Sequence, residues 1–359
     1  LIIYTSGSEA APKGVVLTHA NCFWNNLALG QAMPITADDV VLSILPQYHV
    51  AAWNVQPLLA WWHGATVVLE RSFDPGRVLQ LLADRRVTTM MGVPTQYRML
   101  MNHPAWPGAD LDSLRRVVVG GATIPDDLAA AWAQRGHPLT QGYGLTEAGP
   151  NVLHLPAAAV AQQPGYVGVP YPGVEVLLAD PHTLLPLNGA ATGELWVRGP
   201  SVFAGYLHDP EATARTMQGD WLRTGDLVSR DAAGIHRIVD RLKEIFVSGG
   251  ENIAPAEVEG ALAEHPLVAD CAVVGAPDPV WGERGVAFVV RDGQLSEDEL
   301  LAFAAERLAT FKLPVRVVFV DELPRSTIEK VARGELRRIA AALVDGHRSE
   351  QEVRRDDTR

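Results

Sequence analysis

The sequence predicts an α/β protein: a large domain of layered sheets and helices, a β-rich subdomain, and a small α+β domain at the C-terminal end. Two observations lead to this fold class. Apolar runs of strand length alternate with amphipathic stretches over the first two-thirds of the chain, which is typical of α/β layering. After Asp240, short helix and strand patterns mix over about a hundred residues, the size of a separate domain.

Individual elements of the large domain follow from local patterns. Residues 87–93 and 117–119 are β-type runs that end at a proline and at a glycine pair. The two acidic residues directly after Pro125 predict a helix start, because proline suits the first turn and carboxylates favour its positive end. The β-rich region is predicted from residues 193–199 and 235–239.

The C-terminal part is predicted as a small independent domain. Ser296 and Glu299 form a capping box for a helix that runs to Leu308. Its other predicted elements are a helix at 257–265 and short strands at 272–274, 286–290 and 315–320. The predicted boundaries are 1–239 for the large domain, 240–243 for a junction, 244–340 for the small domain and 341–359 for a charged tail.

Composition excludes several classes of protein. Apolar residues make up 47% and charged residues 20%, which argues against disorder. The net charge of −12 argues against general nucleic-acid binding, which needs a basic surface. Only two cysteines are present and no apolar run has the length of a membrane span, so we expect a cytoplasmic protein without a transmembrane segment. Leu1 lies inside an apolar run, from which we expect that an N-terminal portion precedes this sequence.

A candidate phosphate loop follows the first apolar run. Hydroxyls, a glycine and a lysine within one turn supply donors for a polyphosphate, and backbone amides there can form an anion nest. Gly14 follows the lysine, so the spacing of a Walker loop is not met. A solvated surface loop is the open alternative. The candidate residues are Thr5, Ser6, Gly7, Ser8 and Lys13.

Three further segments carry nucleotide-type chemistry. Tyr143 offers a flat face for adenine, Thr146 a hydroxyl for a phosphate, and Glu147 a hard oxygen for Mg²⁺. The pair Gly120–Gly121 allows a ligand to approach the backbone closely. Asp226 has the carboxylate needed to accept two ribose hydroxyls. Taken singly, each of these residues also fits a structural role.

In their order and spacing these segments resemble the adenylate-forming superfamily of acyl-CoA synthetases, adenylation domains and firefly-type luciferases. The resemblance covers residues 2–337 and rests on T-S-G-S-E-A-A-P-K-G, Q-G-Y-G-L-T-E, W-L-R-T-G-D, D-R-L-K, S-G-G-E-N-I-A-P-A-E-V-E and L-P-R-S-T-I-E-K. The sequence departs from the family pattern at Glu9, Ala10 and Glu329, which affects expectations for loop closure and rate.

The resemblance implies a role for each matched residue. It implies that Lys330, Thr146, Glu147 and Lys243 are catalytic, with Glu147 as the metal ligand and Lys243 at the hinge of a mobile small domain. The implied ATP- and AMP-binding residues are Thr5, Ser6, Gly7, Ser8, Lys13, Gly120, Gly121, Ala122, Gly142, Tyr143, Gly144, Thr146, Asp226, Arg241 and Lys330. The implied acyl pocket contains His49, Trp53 and Gly121, and a tunnel for the CoA arm is implied at Gly249 and Gly250.

The implied reaction has two steps. A carboxylate and Mg·ATP give acyl-AMP and pyrophosphate, and the small domain then swings so that the CoA thiol attacks. The segment H-V-A-A-W from His49 to Trp53 is similar to fatty-acyl-CoA ligases, so we expect a medium- or long-chain fatty acid and a role in lipid metabolism. Core packing of His49 and Trp53 is the open alternative. At the level of function, a ligase that loads an acyl carrier protein, a luciferase-like oxygenase and a non-catalytic nucleotide-binding remnant stay open.

Overall fold

The structure, a computed structural model, describes residues 1–5, 12–325 and 331–343. The chain divides into two compact units: unit 1 comprises residues 1–224 and 228–238, and unit 2 comprises residues 225–227 and those from 239 onward. Each unit has its own buried apolar clusters. The predicted fold class is confirmed, because unit 1 layers helices and sheets and unit 2 is a small α+β body.

The strands and helices lie along the chain as follows. The strands are β1 (Ile2–Thr5), β2 (Lys13–Val16), β3 (Val40–Ser43), β4 (Thr66–Leu69), β5 (Thr89–Gly92), β6 (Arg116–Val119), β7 (Leu139–Tyr143), β8 (Leu153–Leu155), β9 (Val169–Pro170), β10 (Glu175–Ala179), β11 (Pro186–Leu187), β12 (Ala191–Arg198), β13 (Gly205–Tyr206), β14 (Met217–Gln218), β15 (Trp221–Arg230), β16 (His236–Arg241), β17 (Phe246–Ser248), β18 (Glu251–Ile253), β19 (Val268–Asp278), β20 (Gly282–Arg291) and β21 (Arg316–Phe319). The helices are α1 (His19–Ala32), α2 (Ala51–Asn54), α3 (Pro57–Trp62), α4 (Pro75–Asp84), α5 (Pro94–Asn102), α6 (Asp126–Gln134), α7 (Ala157–Val160), α8 (Pro210–Thr216), α9 (Pro255–Ala263), α10 (Glu297–Ala305) and α11 (residues 333–343).

The central sheet of unit 1 has the strand order β4-β3-β5-β6-β7-β8-β9. Strands β4, β3, β5, β6 and β7 run parallel, and β8 and β9 are added antiparallel. Helices α4, α5 and α6 connect successive parallel strands. Their apolar faces bury Leu82, Leu100 and Trp132 against the strands, because a parallel sheet in such a fold is covered by its crossover helices.

Two further sheets lie mainly in unit 1. The first has the order β1-β2-β13 and brings together segments that are about 190 residues apart in the sequence. The second has the order β11-β10-β12-β15-β14, with β16 paired to β15, and is the predicted β-rich region. Helix α1 begins directly after β2, where the Thr18 side chain accepts a hydrogen bond from the backbone N–H of Asn21.

Unit 2 is built on a sheet with the order β18-β17-β20-β19, in which β21 pairs parallel to β20. Helices α9 and α10 cover it, and Ser296 and Glu299 form the predicted capping box at the start of α10. The short strands predicted at 272–274 and 286–290 are wrong in length: β19 and β20 have 11 and 10 residues and pair as far as Asp278 and Gly282. Proline and charged residues at their ends obscured a pairing that the backbone continues.

We find no helix among the described residues that has both the length and the apolar character needed to cross a membrane.

Candidate active site

The candidate residues of unit 1 follow the carboxyl ends of parallel strands. Strands β3, β6 and β7 run in the same direction, so their carboxyl ends lie at the same edge of the sheet. The segment with His49 and Trp53 follows β3, the turn 120–122 follows β6, and the segment 144–147 follows β7. Ligands of open α/β sheets bind outside this edge. The topology thus gathers segments that are far apart in the sequence.

Gln141 holds the turn of Gly120, Gly121 and Ala122. Its side-chain amide accepts a hydrogen bond from the N–H of Ile124 at 2.9 Å and donates to the carbonyl of Ala122 at 3.1 Å. Gly121 has a φ of +79°, a conformation that favours glycine. Gln141 has no role in the sequence prediction, although it lies within the Q-G-Y-G-L-T-E motif, and the structure shows its amide to be buried.

The backbone after β7 is so tightly packed that only glycine fits at position 144. A Cβ atom on Gly144 would lie 1.4 Å from the carbonyl oxygen of Pro150. Thr146 and Glu147 then form one turn of 3₁₀ helix that ends at Gly149. The close approach of Gly144 to Pro150 fixes the start of this turn, and therefore the backbone positions of Thr146 and Glu147.

A tyrosine outside all of the sequence motifs forms a hydrogen bond to Glu147. The Tyr206 hydroxyl donates to Oε1 of Glu147 at 2.8 Å, and the N–H of Phe203 donates to the Glu147 carbonyl at 2.8 Å. Burial, together with the nearby Glu147 carboxylate, raises the pKa of Tyr206 well above its usual range, so the phenol stays protonated at neutral pH. Tyr206 belongs to none of the motifs that were used, and is 59 residues from Glu147 in the sequence.

The two ends of the candidate phosphate loop are paired strands. Thr5 ends β1 and Lys13 begins β2, and the two residues are partners in the antiparallel register. The ammonium of Lys13 lies 5.4 Å from the centre of the Tyr206 ring, within the range of a cation–π contact. Ser6, Gly7 and Ser8 lie outside the described residues.

His49 lies just before α2, and Trp53 lies within it. The indole N–H of Trp53 donates to the carbonyl of Gln47 at 2.8 Å, which fixes the orientation of the ring. The ring centres of Trp53 and Trp61 are 6.4 Å apart, and those of His49 and Tyr48 are 5.4 Å apart. Flat aromatic surfaces are therefore concentrated in this segment.

Buried amides tie α1 and α2 to the segment after Glu147. The Asn54 side chain donates to the carbonyl of Gly149 at 2.7 Å, and Asn151 donates to Oδ1 of Asn25 at 3.0 Å. Asn25 in turn donates to the carbonyl of Asn54 at 2.6 Å. We call Asn25, Asn54 and Asn151 the amide cluster. It joins three segments that the site needs in register, since α1 follows the phosphate loop and α2 follows His49.

The candidate ribose ligand belongs to unit 2. Asp226 is 2% exposed, and its Oδ1 lies 2.5 Å from Nε of Arg241. The backbone N–H of Leu242 donates to the carbonyl of Gly225 at 2.9 Å, which joins the two segments. The structure thus brings together Asp226 and Arg241, which the sequence argument selected from separate motifs.

The junction residues are anchored within unit 2. The carbonyl of Lys243 accepts a hydrogen bond from Arg337 of α11 at 3.3 Å, and Arg337 also pairs with Glu244. Burial raises the pKa of Asp240, whose carboxylate accepts hydrogen bonds from the N–H groups of Arg241 and Ala256. Lys330 lies outside the described residues.

The candidate CoA segment is a tight turn between β17 and β18. Gly249 and Gly250 have φ values of +59° and +90°. A Cβ atom on Gly249 would lie 2.4 Å from the Trp281 ring, and the N–H of Gly249 donates to the carbonyl of Trp281 at 2.8 Å. The turn is therefore packed directly against an indole.

Glu147 has the chemistry that Mg²⁺ requires. Magnesium binds through one or two carboxylates and completes its ligand shell with water and nucleotide phosphates. Glu147 offers one carboxylate, held in place on one oxygen by Tyr206. Among the described residues, no group of three or more His, Cys, Asp or Glu side chains is arranged to hold a metal.

A parallel sheet with glycine turns and an acidic residue at its carboxyl edge is typical of nucleotide-binding α/β proteins. Comparison with known proteins gives the family. Residues 1–207 match the model of the AMP-binding enzyme family, and residues 257–330 match the model of the AMP-binding enzyme C-terminal domain. The chain belongs to this family of adenylate-forming enzymes.

Relatives and solved structures support the same assignment. The chain is 45% identical over 340 residues to a feruloyl-CoA synthase of an Amycolatopsis species, covering 94% of this chain and 69% of the relative. It is 39% identical over 345 residues to the indoleacetate–CoA ligase of Aromatoleum aromaticum, covering 95% and 67%. The structure of O-succinylbenzoate coenzyme A synthetase from Bacillus subtilis with ATP and magnesium superposes with a TM-score of 0.86 at 32% identity, covering 93% and 69%.

The enzyme class follows from these matches. The protein is an AMP-forming acid–CoA ligase, and its reactants are a carboxylic acid, ATP with Mg²⁺, and CoA. The prediction of an acid–thiol ligase is confirmed at this level.

Proposed function

We propose that this ligase activates a carboxylic acid that carries an aromatic ring, and transfers it from acyl-AMP to CoA. The observation that carries the proposal is the match at 45% identity to a feruloyl-CoA synthase, with a ligase for indoleacetate among the other relatives. The expected preference for fatty acids finds no support among these relatives and becomes the alternative outcome of the test.

The segment after β3 supports a flat substrate. His49 and Trp53 lie beside Tyr48 and Trp61, and aromatic side chains favour offset or edge-to-face contacts with a planar ring. An aliphatic chain gains only contact area from such walls. In this proposal Gly121 leaves room for the carboxyl end of the acid.

The residues of unit 1 would bind the triphosphate and the adenine. Gly120, Ala122, Gly142, Gly144 and Tyr143 would form the adenine side. Thr146, Thr5 and Lys13, with Ser6, Gly7 and Ser8 between them, would contact phosphates. Glu147 would hold Mg²⁺, which supplies positive charge against the phosphates when bound.

The residues of unit 2 would complete the two half-reactions. Asp226, oriented by Arg241, would accept the ribose hydroxyls, and Lys330 would place a compact positive charge where the carboxylate meets the α-phosphate. Lys243 would act as the hinge residue between the half-reactions. Gly249 and Gly250 would leave space for the pantetheine arm.

An acid panel tests the substrate class. The purified protein is given ATP, Mg²⁺ and CoA with ferulate, indoleacetate, 2-succinylbenzoate, octanoate, palmitate, acetate or phenylalanine, and AMP formation is measured. We expect kcat/KM for ferulate, indoleacetate or 2-succinylbenzoate to exceed that for every other acid of the panel by about tenfold, or about 1.4 kcal/mol. A higher value for octanoate or palmitate would restore the fatty-acid alternative, and equal rates with a phosphopantetheinylated carrier protein would favour the carrier-loading alternative.

Two lysines of the C-terminal region separate catalysis from simple charge loss. We expect Lys330→Ala to lower acid-dependent pyrophosphate exchange by about a hundredfold or more, because a charge-stabilising donor is lost. Lys312→Ala is the matched control, since this lysine is bound to the Glu257 carboxylate at 2.6 Å. Equal exchange in the two variants would contradict the role of Lys330, and no exchange in the parent would favour the non-catalytic alternative.

A further inference from the structure

One side chain joins the candidate metal ligand to the phosphate-loop lysine. Tyr206 donates its hydroxyl hydrogen to Oε1 of Glu147 at 2.8 Å, and the face of its ring lies 5.4 Å from the ammonium of Lys13. These residues come from the turn after β7, from β13 and from the start of β2. Tyr206 therefore contacts the two charged side chains of unit 1, Glu147 and Lys13, that the proposed function places at the phosphates of ATP.

The backbone around Tyr206 is held on both sides. Tyr206 pairs with Val15 of β2, and the N–H of Leu207 donates to the carbonyl of Gly14 at 2.8 Å. Its own N–H donates to Oγ1 of Thr213 at 2.8 Å. The backbone that carries the ring is thus fixed to the phosphate-loop strand, and the hydroxyl is held by its bond to Glu147.

We propose that Tyr206 is a positioning residue, which holds one oxygen of Glu147 so that the other can face Mg²⁺ bound to ATP, and whose ring places the Lys13 ammonium. This inference rests on the proposed function, because it assigns Glu147 to the metal. It goes beyond it in naming the group that sets the geometry of both charged side chains.

The chemistry of a phenol suits this role. A neutral O–H donor orients one carboxylate oxygen and leaves the charge of Glu147 available to a cation. A lysine or arginine at this place would neutralise the carboxylate and compete with Mg²⁺. A hydrogen bond to an ionised group is also stronger and more directional than one between neutral groups.

Two substitutions at position 206 separate the hydroxyl from the ring. Tyr206→Phe removes the hydrogen bond to Glu147 and keeps the ring beside Lys13, whereas Tyr206→Leu removes both. ATP binding is measured by calorimetry without acid, once with Mg²⁺ and once with EDTA, so that no turnover occurs. We expect Tyr206→Phe to lower the affinity for ATP about tenfold with Mg²⁺ and less than about twofold in EDTA.

The leucine variant tests the contact with Lys13. We expect Tyr206→Leu to lower the affinity for ATP in EDTA by about threefold or more, since the ring that faces the ammonium is gone. Tyr166→Phe is the matched control, because it removes the same hydroxyl from a tyrosine that packs against the other apolar cluster of unit 1. We expect both of its affinities to match those of the parent, and thermal unfolding verifies that each variant is folded.

A double-substitution cycle decides whether Tyr206 acts through Glu147. Glu147→Gln should lower the Mg²⁺-dependent affinity by itself, and Tyr206→Phe added to it should change that affinity less than about twofold further. If Tyr206→Phe alone leaves the Mg²⁺-dependent affinity unchanged while Glu147→Gln lowers it, the positioning role is refuted and the metal role of Glu147 stands. If Glu147→Gln also has no effect, both the inference and that part of the proposed function are refuted. Equal additive losses would assign Tyr206 a merely structural role and would also overturn the inference.

Discussion

Replacing Gly144 by alanine should disrupt the turn that carries Thr146 and Glu147. The added methyl carbon would lie 1.4 Å from the Pro150 carbonyl oxygen and 2.6 Å from its carbonyl carbon. Carbon–oxygen contacts in proteins lie at about 3.3 Å or more, so the two segments would have to separate by about 2 Å. Both atoms on the far side belong to the backbone, and a rotamer change of Pro150 cannot relieve the clash.

The loss of stability in Gly144→Ala can be estimated from the hydrogen bonds on either side of Pro150. Gly149 accepts from Asn54 at 2.7 Å, and the N–H of Val152 donates to the Tyr143 carbonyl at 3.1 Å. A buried polar group that loses its partner costs about 1–3 kcal/mol, so losing both bonds would lower the free energy of unfolding by about 2–6 kcal/mol. For a unit of this size that corresponds to a fall in Tm on the order of 10 °C.

Gly142 provides the matched control two residues earlier. Its added methyl would meet the carbonyl oxygen of Val119 at 3.7 Å, an ordinary contact. We expect Gly142→Ala to leave Tm within about 2 °C of the parent, whereas Gly144→Ala lowers Tm by about 10 °C. Thermal unfolding followed by circular dichroism measures Tm. If the two alanine variants have the same Tm, the close packing of the Gly144 turn makes no contribution to stability.

Three further predictions concern stability, the CoA turn and the acid. Burial disfavours the Asp39 carboxylate, but hydrogen bonds from Thr88 and Thr36 and two arginines outweigh this effect and lower the pKa of Asp39 to about 2. Asp39→Asn should therefore lower the free energy of unfolding, measured in urea at pH 7, by about 2 kcal/mol. The difference from the parent should be present above pH ~4 and vanish as the pH falls towards 2, because the lowered pKa reflects stabilisation of the ionised carboxylate only. A difference that stays constant down to pH 2 would contradict the assignment of the shift to Asp39. Gly249→Ala should slow thioester formation from preformed acyl-AMP about tenfold or more with little effect on pyrophosphate exchange, because the methyl would meet Trp281 at 2.4 Å, and equal losses in both steps would argue against a CoA role for the turn. Trp53→Ala should lower kcat/KM for the preferred ring-bearing acid more than for acetate, and a uniform loss over the acid panel would indicate that Trp53 only packs in the core.

The sequence predicts candidate residues for the chemistry of the site, but it does not predict the side chains that orient them. Short motifs select Glu147 and Asp226 as candidates, because spacing within a segment is preserved when the chain folds. The partner of Glu147 is Tyr206, which reaches it only because β13 pairs with β2. No local pattern encodes which of several tyrosines will meet a given carboxylate across a sheet.

The predicted elements show the same limit of local information. The capping box at Ser296 is confirmed, since both of its partners lie within four residues of each other. The strands β19 and β20 continue beyond their apolar cores, through Pro277 and Arg284, because each has the other as a neighbour. Pairing of this kind depends on tertiary contacts, and hydrophobic patterning alone underestimates it.

The amide cluster sets a rule for redesigning the acid preference of this ligase. Residues 44–53 follow the end of β3 and include His49 and Trp53, which the proposed function assigns to the acid. The next residue, Asn54, bonds to Gly149 beside the Glu147 turn and to Asn25 of α1. A graft that ends before Asn54 should change the acid preference and retain acyl-AMP formation. A graft that replaces Asn54 would lose the hydrogen bonds to Gly149 and Asn25, and should therefore impair both acid binding and ATP binding.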